Sequence, residues 1–298
     1  MTQTLEALRR RIHSVEEMQS VVTTMKVMAA VNIRQYEAAA RSLAEYNDTV
    51  DIGLQIALRH RPEEIELSGQ ALGCPLGLIV FGSDQGMVGQ FNQQVVDHVN
   101  LVMESDDLRE RECVILAIGR RVAGRLIQSG RRPEEALPVP GSLAGITPIV
   151  QDLLVRIETW REQKGIEQIM LFYNAQLHGA AYKPTSLQLL PLDLDWLHDL
   201  EGRQWPTRGL PTFFLEWDTL FAALVREYFF VSLYRAFAES LASENASRLA
   251  SMQAAEKNIE DRMEQLHMEY HHLRQSSITE ELLDVVAGYE TLSETSED

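Results

Sequence analysis

The sequence predicts an α/β protein dominated by long helices: an antiparallel coiled coil of the N- and C-terminal segments, with a small Rossmann-like α/β domain inserted between them. Three observations carry this expectation. Residues 5–57 hold no proline and repeat apolar residues in steps of three and four, and the segment after Pro211 does the same. Between them, short apolar runs bounded by turn residues alternate with helical periodicity.

In the first segment the apolar or small positions are Leu8, Ile12, Val15, Val22, Met25, Ala29, Ile33, Tyr36, Ala40, Leu43, Val50 and Leu54, and Gly53 is its one glycine. That spacing marks a single helix with a narrow seam. Fifty-odd residues at 1.5 Å each span roughly 80 Å, more than a compact domain of this mass, so the helix is expected to project. The last third repeats the seam at Leu220, Leu224, Val231, Tyr234, Leu241, Leu249, Met252, Ala255, Ile259, Leu266, Tyr270, Leu273, Leu282 and Val286. A stripe of this kind is stable in water only when buried, so each end is the natural partner of the other.

In the middle, residues 75–82, 114–119, 168–173 and 186–192 read as buried strands, with helices expected at 92–103, 120–129 and 146–164. Strands separated by crossover helices give a small, largely parallel sheet. Expected boundaries are therefore 1–60 for the first shaft helix, 70–205 for the α/β head, 210–292 for the second shaft helix and 293–298 for an acidic tail. The Gly- and Pro-containing stretch 203–211 reads as the linker back to the second helix.

Composition removes several function classes. Two cysteines, Cys74 and Cys113, cannot build a disulfide framework and fit free thiols in a reducing compartment. The opening residues lack the apolar core of a signal peptide, and the most apolar stretch, 210–234, is broken by Glu216, Asp218, Arg226 and Glu227, so membrane contact is expected only through partners. A formal net charge of −17, with no basic cluster, disfavours nucleic acid. From Glu216 onward 17 acidic residues face 6 Lys or Arg, a surface suited to a basic socket.

The loop 82–90, Gly-Ser-Asp-Gln-Gly-Met-Val-Gly-Gln, lies between a strand and a helix, where α/β folds bind phosphates. It has neither the spacing nor the lysine of a P-loop and misses the dinucleotide fingerprint, so a structural turn is the better reading. His267 and His271 stand four apart on a helix, but the residue after His267 is Met268 and not the glutamate of metalloprotease chemistry; a solvated face explains them. Ser83 with Asp84 has no histidine partner, and His178 stands alone. No catalytic group, cofactor or metal is expected.

Three stretches together resemble the gamma subunit of F-type ATP synthases. Arg11-Ile12-His13-Ser14-Val15 followed by Thr24-Met25-Lys26-Val27-Met28-Ala29-Ala30 is similar to that family's N-terminal signature. The loop from Gly82 to Asn92 looks like its Ser-Asp-Arg-Gly-Leu-Cys-Gly-Gly-Phe-Asn. Most specific are Glu244-Asn245-Ala246-Ser247-Arg248-Leu249-Ala250-Ser251-Met252 and Arg274-Gln275-Ser276-Ser277-Ile278-Thr279-Glu280-Glu281-Leu282. The resemblance implies a non-catalytic central-stalk rotor, its helices forming a shaft inside an alpha/beta ring and its head meeting the epsilon subunit and the membrane c-ring. It implies a peripheral place on the cytoplasmic face of the bacterial inner membrane.

By the same resemblance, Arg274, Gln275 and Thr279 match residues near the shaft tip that hydrogen-bond to catalytic subunits. Met25 matches the methionine beneath the beta-subunit lever, and Arg248 the arginine of the Ala-Ser-Arg motif. Their plainer readings are a solvated helix face for Arg274 and Gln275, a seam residue for Met25 and a surface cation for Arg248. The chain departs from the family at Thr23 and Asn32, where lysine is common, and at Gln85, where the family has arginine. The competing expectations are an unrelated coiled-coil adaptor with an α/β binding module and, more weakly, a nucleotide-binding enzyme built on the loop 82–90.

Overall fold

The computed structural model describes residues 5–62, 74–105, 108, 111–177, 181–205, 209 and 212–294, with side chains to residue 287. Its elements run α1 (Leu5–Arg59), β1 (Leu76–Phe81), α2 (Phe91–Met103), β2 (Cys113–Ile118), α3 (Arg120–Gln128), β3 (Glu135–Leu137), a 3-10 turn (Leu143–Gly145), α4 (Ile146–Lys164), β4 (Gln168–Gln176), β5 (Tyr182–Leu190), α5 (Leu194–Gly202) and α6 (Trp217–Glu294). The chain divides into two compact units, Ala29–Arg248 and Met1–Met28 with Leu249–Asp298. Both α1 and α6 contribute a segment to each.

The larger unit is built on one sheet of order β3-β2-β1-β4-β5. The first four strands are parallel and β5 closes one edge antiparallel to β4. Strands covered on both faces need no polar side, which is why β1 reads as an unbroken apolar run. Successive side chains alternate across the sheet. Ile79, Phe81, Leu116, Ile118 and Leu171 pack with α4 (Val150, Leu153, Ile157) and α6 (Leu233, Phe237, Leu241). Leu78, Val80, Ile115, Ala117 and Phe172 pack on the opposite face with α2 (Val95, Val96, Val99) and α3 (Val122, Leu126).

Within this unit the two long helices run antiparallel. Asn32 Nδ2 donates to Asn245 Oδ1 at 3.4 Å, Tyr46 Oη to Glu227 Oε2 at 2.8 Å and Trp217 Nε1 to the Ala57 carbonyl at 2.7 Å. Val50, Leu54 and Leu58 of α1 form a further apolar cluster with Val231 of α6 and Leu197 and Leu200 of α5.

Among the described residues the smaller unit contains helix only. Leu8 and Ile12 pack with Leu266, flanked by Val15, Met263 and Tyr270. Lys26 Nζ meets both carboxylate oxygens of Glu256 at 2.6 Å. The pairing is again antiparallel.

Every seam residue expected on α1 is buried or half-buried. On α6 the seam holds through Leu273, but Leu282 and Val286 are 61% and 53% exposed. Leu8 already packs beside Leu266, so α1 has run out before those two residues are reached. Periodicity gave them a face; it could not give them a partner.

Two elements escape a reading by apolar runs. β3 is three residues long and not buried, and α5 follows directly on β5. Asp193 caps α5 with its side chain, accepting from the Asp195 and Trp196 amides at 2.9 and 3.4 Å. β5 also begins four residues earlier than expected and includes Pro184, which an edge strand tolerates. The expected acidic tail beyond residue 294, His178, and part of the linker 203–211 lie outside the described residues.

Candidate functional site

The turn after β1 uses its polar groups internally. Asn92 Oδ1 accepts from the Ser83 amide at 2.9 Å, Asn92 Nδ2 donates to Ser83 Oγ at 2.8 Å, and Ser83 Oγ donates to the Gln85 carbonyl at 2.8 Å. Asp84 accepts from the Arg120 amide through Oδ1 and from the Val139 amide through Oδ2, each at 2.8 Å. Its carboxylate therefore satisfies a free amide at the start of α3 and another in the chain following β3. A Cβ at Gly82 would run into the side chains of Val122 and Asn92. Gly119, at φ 114°, would place one 2.8 Å from the Ser83 carbonyl oxygen. Two backbones meet here closely, and the loop works as a joint in the sheet's C-terminal edge.

Helix α6 crosses this loop with the Glu-Asn-Ala-Ser-Arg motif. Ser247 Oγ donates to the Val88 carbonyl at 2.6 Å and lies 3.4 Å from Tyr182 Oη of β5. Arg248 Nη2 donates to Glu244 Oε1 at 2.6 Å, one helical turn back, and both side chains are buried at about a tenth of full exposure or less, 10% and 8%. Arg248 Nη1 lies 3.5 Å from Asn245 Oδ1, the same oxygen that accepts from Asn32 of α1. Tyr36 of α1, 4% exposed, sits within the field of both charges. Burial raises the Glu244 carboxyl above its ordinary value, Arg248 opposes the rise, and Asp84 adds to it.

The structure distributes the five expected site residues. Arg248 is interior and ion-paired, so the surface-cation reading of it fails on burial. Met25 is half-buried on α1, next to Lys26 and its Glu256 partner. Arg274, Gln275 and Thr279 lie about 27 to 35 Å farther along α6 than Glu256, at 1.5 Å per residue, and all three are exposed. Thr279 Oγ1 donates to the Gln275 carbonyl at 2.9 Å. Among the described residues the Arg274 side chain and the Gln275 amide group make no hydrogen bond or ion pair within the chain.

Glu244, Asn245, Ser247, Asn32 and Tyr182 carry this arrangement without having been assigned roles from sequence. One signal was present: opposite charges four residues apart, at positions 244 and 248, inside a run of small and apolar residues that leaves them no wet face. The exposed His267 and His271 gather no third ligand, and among the described residues no group of three His, Cys, Asp or Glu is placed to hold a metal. Cys74 and Cys113 are both free thiols.

A family model described as ATP synthase matches residues 4–292. The chain is 27% identical over 297 residues to the ATP synthase gamma chain of Anaeromyxobacter sp. (strain K), covering 97% of this chain and 99% of that one. It is 24% identical over 300 residues to the corresponding chain of Ehrlichia chaffeensis, with the same coverage. Among solved structures, a chain of the Euglena gracilis mitochondrial ATP synthase OSCP/F1/c-ring assembly superposes with a TM-score of 0.66 at 18% identity, covering 97% of this chain and 94% of that one. One from the Tetrahymena thermophila central stalk/c-ring gives 0.55 at 19% identity, covering 79% and 99%. These two likenesses are of fold.

Proposed function

The chain belongs to the ATP synthase gamma family, and from that premise we propose that it is the central-stalk rotor subunit of an F-type ATP synthase, carrying torque between a membrane c-ring and a catalytic alpha/beta ring. The carrying observation is that the family match runs through both long helices and the head together, over residues 4–292. An unrelated adaptor would share a coiled coil with this family, but not the ordered head between its two strands. The subunit is non-catalytic, in keeping with a loop 82–90 whose Ser83 and Asp84 side chains are engaged within the fold.

Its partners are the alpha and beta subunits, epsilon and the c-ring. It is a peripheral component of a membrane-associated complex; among the described residues no helix is long and apolar enough to cross a membrane. Bacterial relatives support a place on the cytoplasmic face of the inner membrane. In this reading segments 1–60 and 210–292 are the shaft, 70–205 the head and 293–298 an acidic tail. Rotation, linked to proton or sodium transport at the c-ring, is coupled to ATP synthesis or hydrolysis by differential contact, because a shaft that met each beta subunit alike would bias none of them.

The exposed groups of α6 past Leu273 support a contact role for Arg274, Gln275 and Thr279, which have donors and acceptors facing outward. Met25 serves as a soft apolar contact on α1. Arg248 contributes to coupling from its interior position.

The test is co-purification of the head-tagged chain from its native membranes, with ATPase activity and ion transport assayed on the eluate and on an Arg274→Ala, Gln275→Ala version. The expected result is a nucleotide-hydrolysing ring whose coupled activity falls several-fold in the variant. Emergence of the chain without such a ring sinks the proposal.

A further inference from the structure

Four elements of the larger unit converge on one polar node: α1 through Asn32 and Tyr36, α6 through Glu244, Asn245, Ser247 and Arg248, the loop after β1 through Asp84 and Val88, and β5 through Tyr182. The node is not what an optimum for stability would look like. Glu244 Oε2 and Arg248 Nε are buried without a protein hydrogen-bond partner among the described residues. A buried pair left partly unsatisfied is commonly matched or bettered in stability by apolar residues of the same volume. What apolar packing does not supply is direction. A 2.6 Å bond from the Ser247 hydroxyl of α6 to the Val88 carbonyl of the loop fixes one angle, and the ion pair of Glu244 and Arg248, which lies within α6 and is buried, commits that face of the helix to the interior.

We infer that Glu244, Ser247 and Arg248 form the joint that locks the rotation of α6 against the head loop and α1, so that Arg248 is a positioning residue of the rotor and touches no partner subunit. The inference rests on the rotor reading above. In a rotor, an angle that slips between head and helix turns torque into internal motion, so ATP hydrolysis continues while less of it appears as ion transport. The hydroxyl of Ser247 matters as much as the charges, because it is the direct tie between α6 and the loop. Asp84 holds that loop in turn through its two amide contacts.

The experiment uses the assembled complex in native membranes, carrying Glu244→Gln, Ser247→Ala or Arg248→Met, and reads ions transported per ATP hydrolysed. The joint expects all three to lower that ratio at least two-fold while hydrolysis by the ring stays near its wild-type rate. Loss in Arg248→Met alone, with Glu244→Gln and Ser247→Ala unchanged, identifies Arg248 as a partner contact and overturns the joint. An unchanged ratio in all three overturns it as well. If the charge variants fail to assemble, Ser247→Ala decides, since it removes a single hydroxyl: a wild-type ratio there refutes the proposal. Failure of the wild-type chain to bring down a ring counts against the rotor reading itself and is told apart by the co-purification step.

Discussion

At the scale of single residues, close approach and burial set the consequences. Gly119→Ala combines a positive φ with a Cβ 2.8 Å from the Ser83 carbonyl oxygen, so the loop after β1 must shift; we expect a loss of at least about 1–3 kcal/mol in denaturant unfolding. Phe237 stacks edge-on against Phe81 with ring centroids 4.8 Å apart, and Phe237→Ala is expected to cost about 3–5 kcal/mol by the same measurement. Tyr173 is pushed up to about 12 by burial and by Glu239. A folded value above the unfolded 10.0 means its stabilising effect is complete below pH 10 and is lost as pH rises through about 12. Tyr173→Phe should flatten that alkaline fall in the unfolding midpoint. Glu244 is also raised, so its contribution is greatest below the ordinary 4.5 and is lost as pH rises through its folded value. In Glu244→Gln the unfolding midpoint should change less than in the wild type as pH rises above the ordinary carboxylate value.

At the scale of elements, legibility followed burial pattern. The seam of α1 and the strands β1, β2 and β4 are long or continuous apolar signals, and the structure follows them within a few residues. The three residues of β3 carry no such signal, and α5 is announced only by its capping Asp193. Arg248 was legible as a motif residue yet not as a buried one, because which side of α6 faces the loop after β1 depends on pairings more than a hundred residues apart in sequence. The tie between Lys26 and Glu256 was invisible for the same reason. Their side chains are 30% and 23% exposed, so a double-mutant cycle on Lys26→Ala and Glu256→Ala should return a coupling of about 0.5–1 kcal/mol, and near-zero coupling would mark the contact as solvent-screened.

At the scale of the whole molecule, the sequence disclosed the division of labour between long helices and inserted sheet and the greater length of the second helix, and erred in carrying the buried seam on to Leu282 and Val286. Beyond Leu273, Ile278, Leu282, Leu283, Val285 and Val286 are 48–70% exposed, on a stretch of α6 that α1 does not accompany. Removing residues 277–298 should therefore leave the unfolding free energy of the chain within about 0.5 kcal/mol, since residues 278–287 are all exposed, while recovery of the ring in co-purification drops. A large fall in stability would show that the segment packs within the chain. The same inequality bears on how the chain fares before it finds its ring. A single helix with an apolar stripe is marginal in water and adhesive towards others of its kind. Newly made copies in excess of their partners are thus exposed to clumping and to proteolysis from that end, so the amount of this subunit in the cell should follow the supply of the subunits that shelter it.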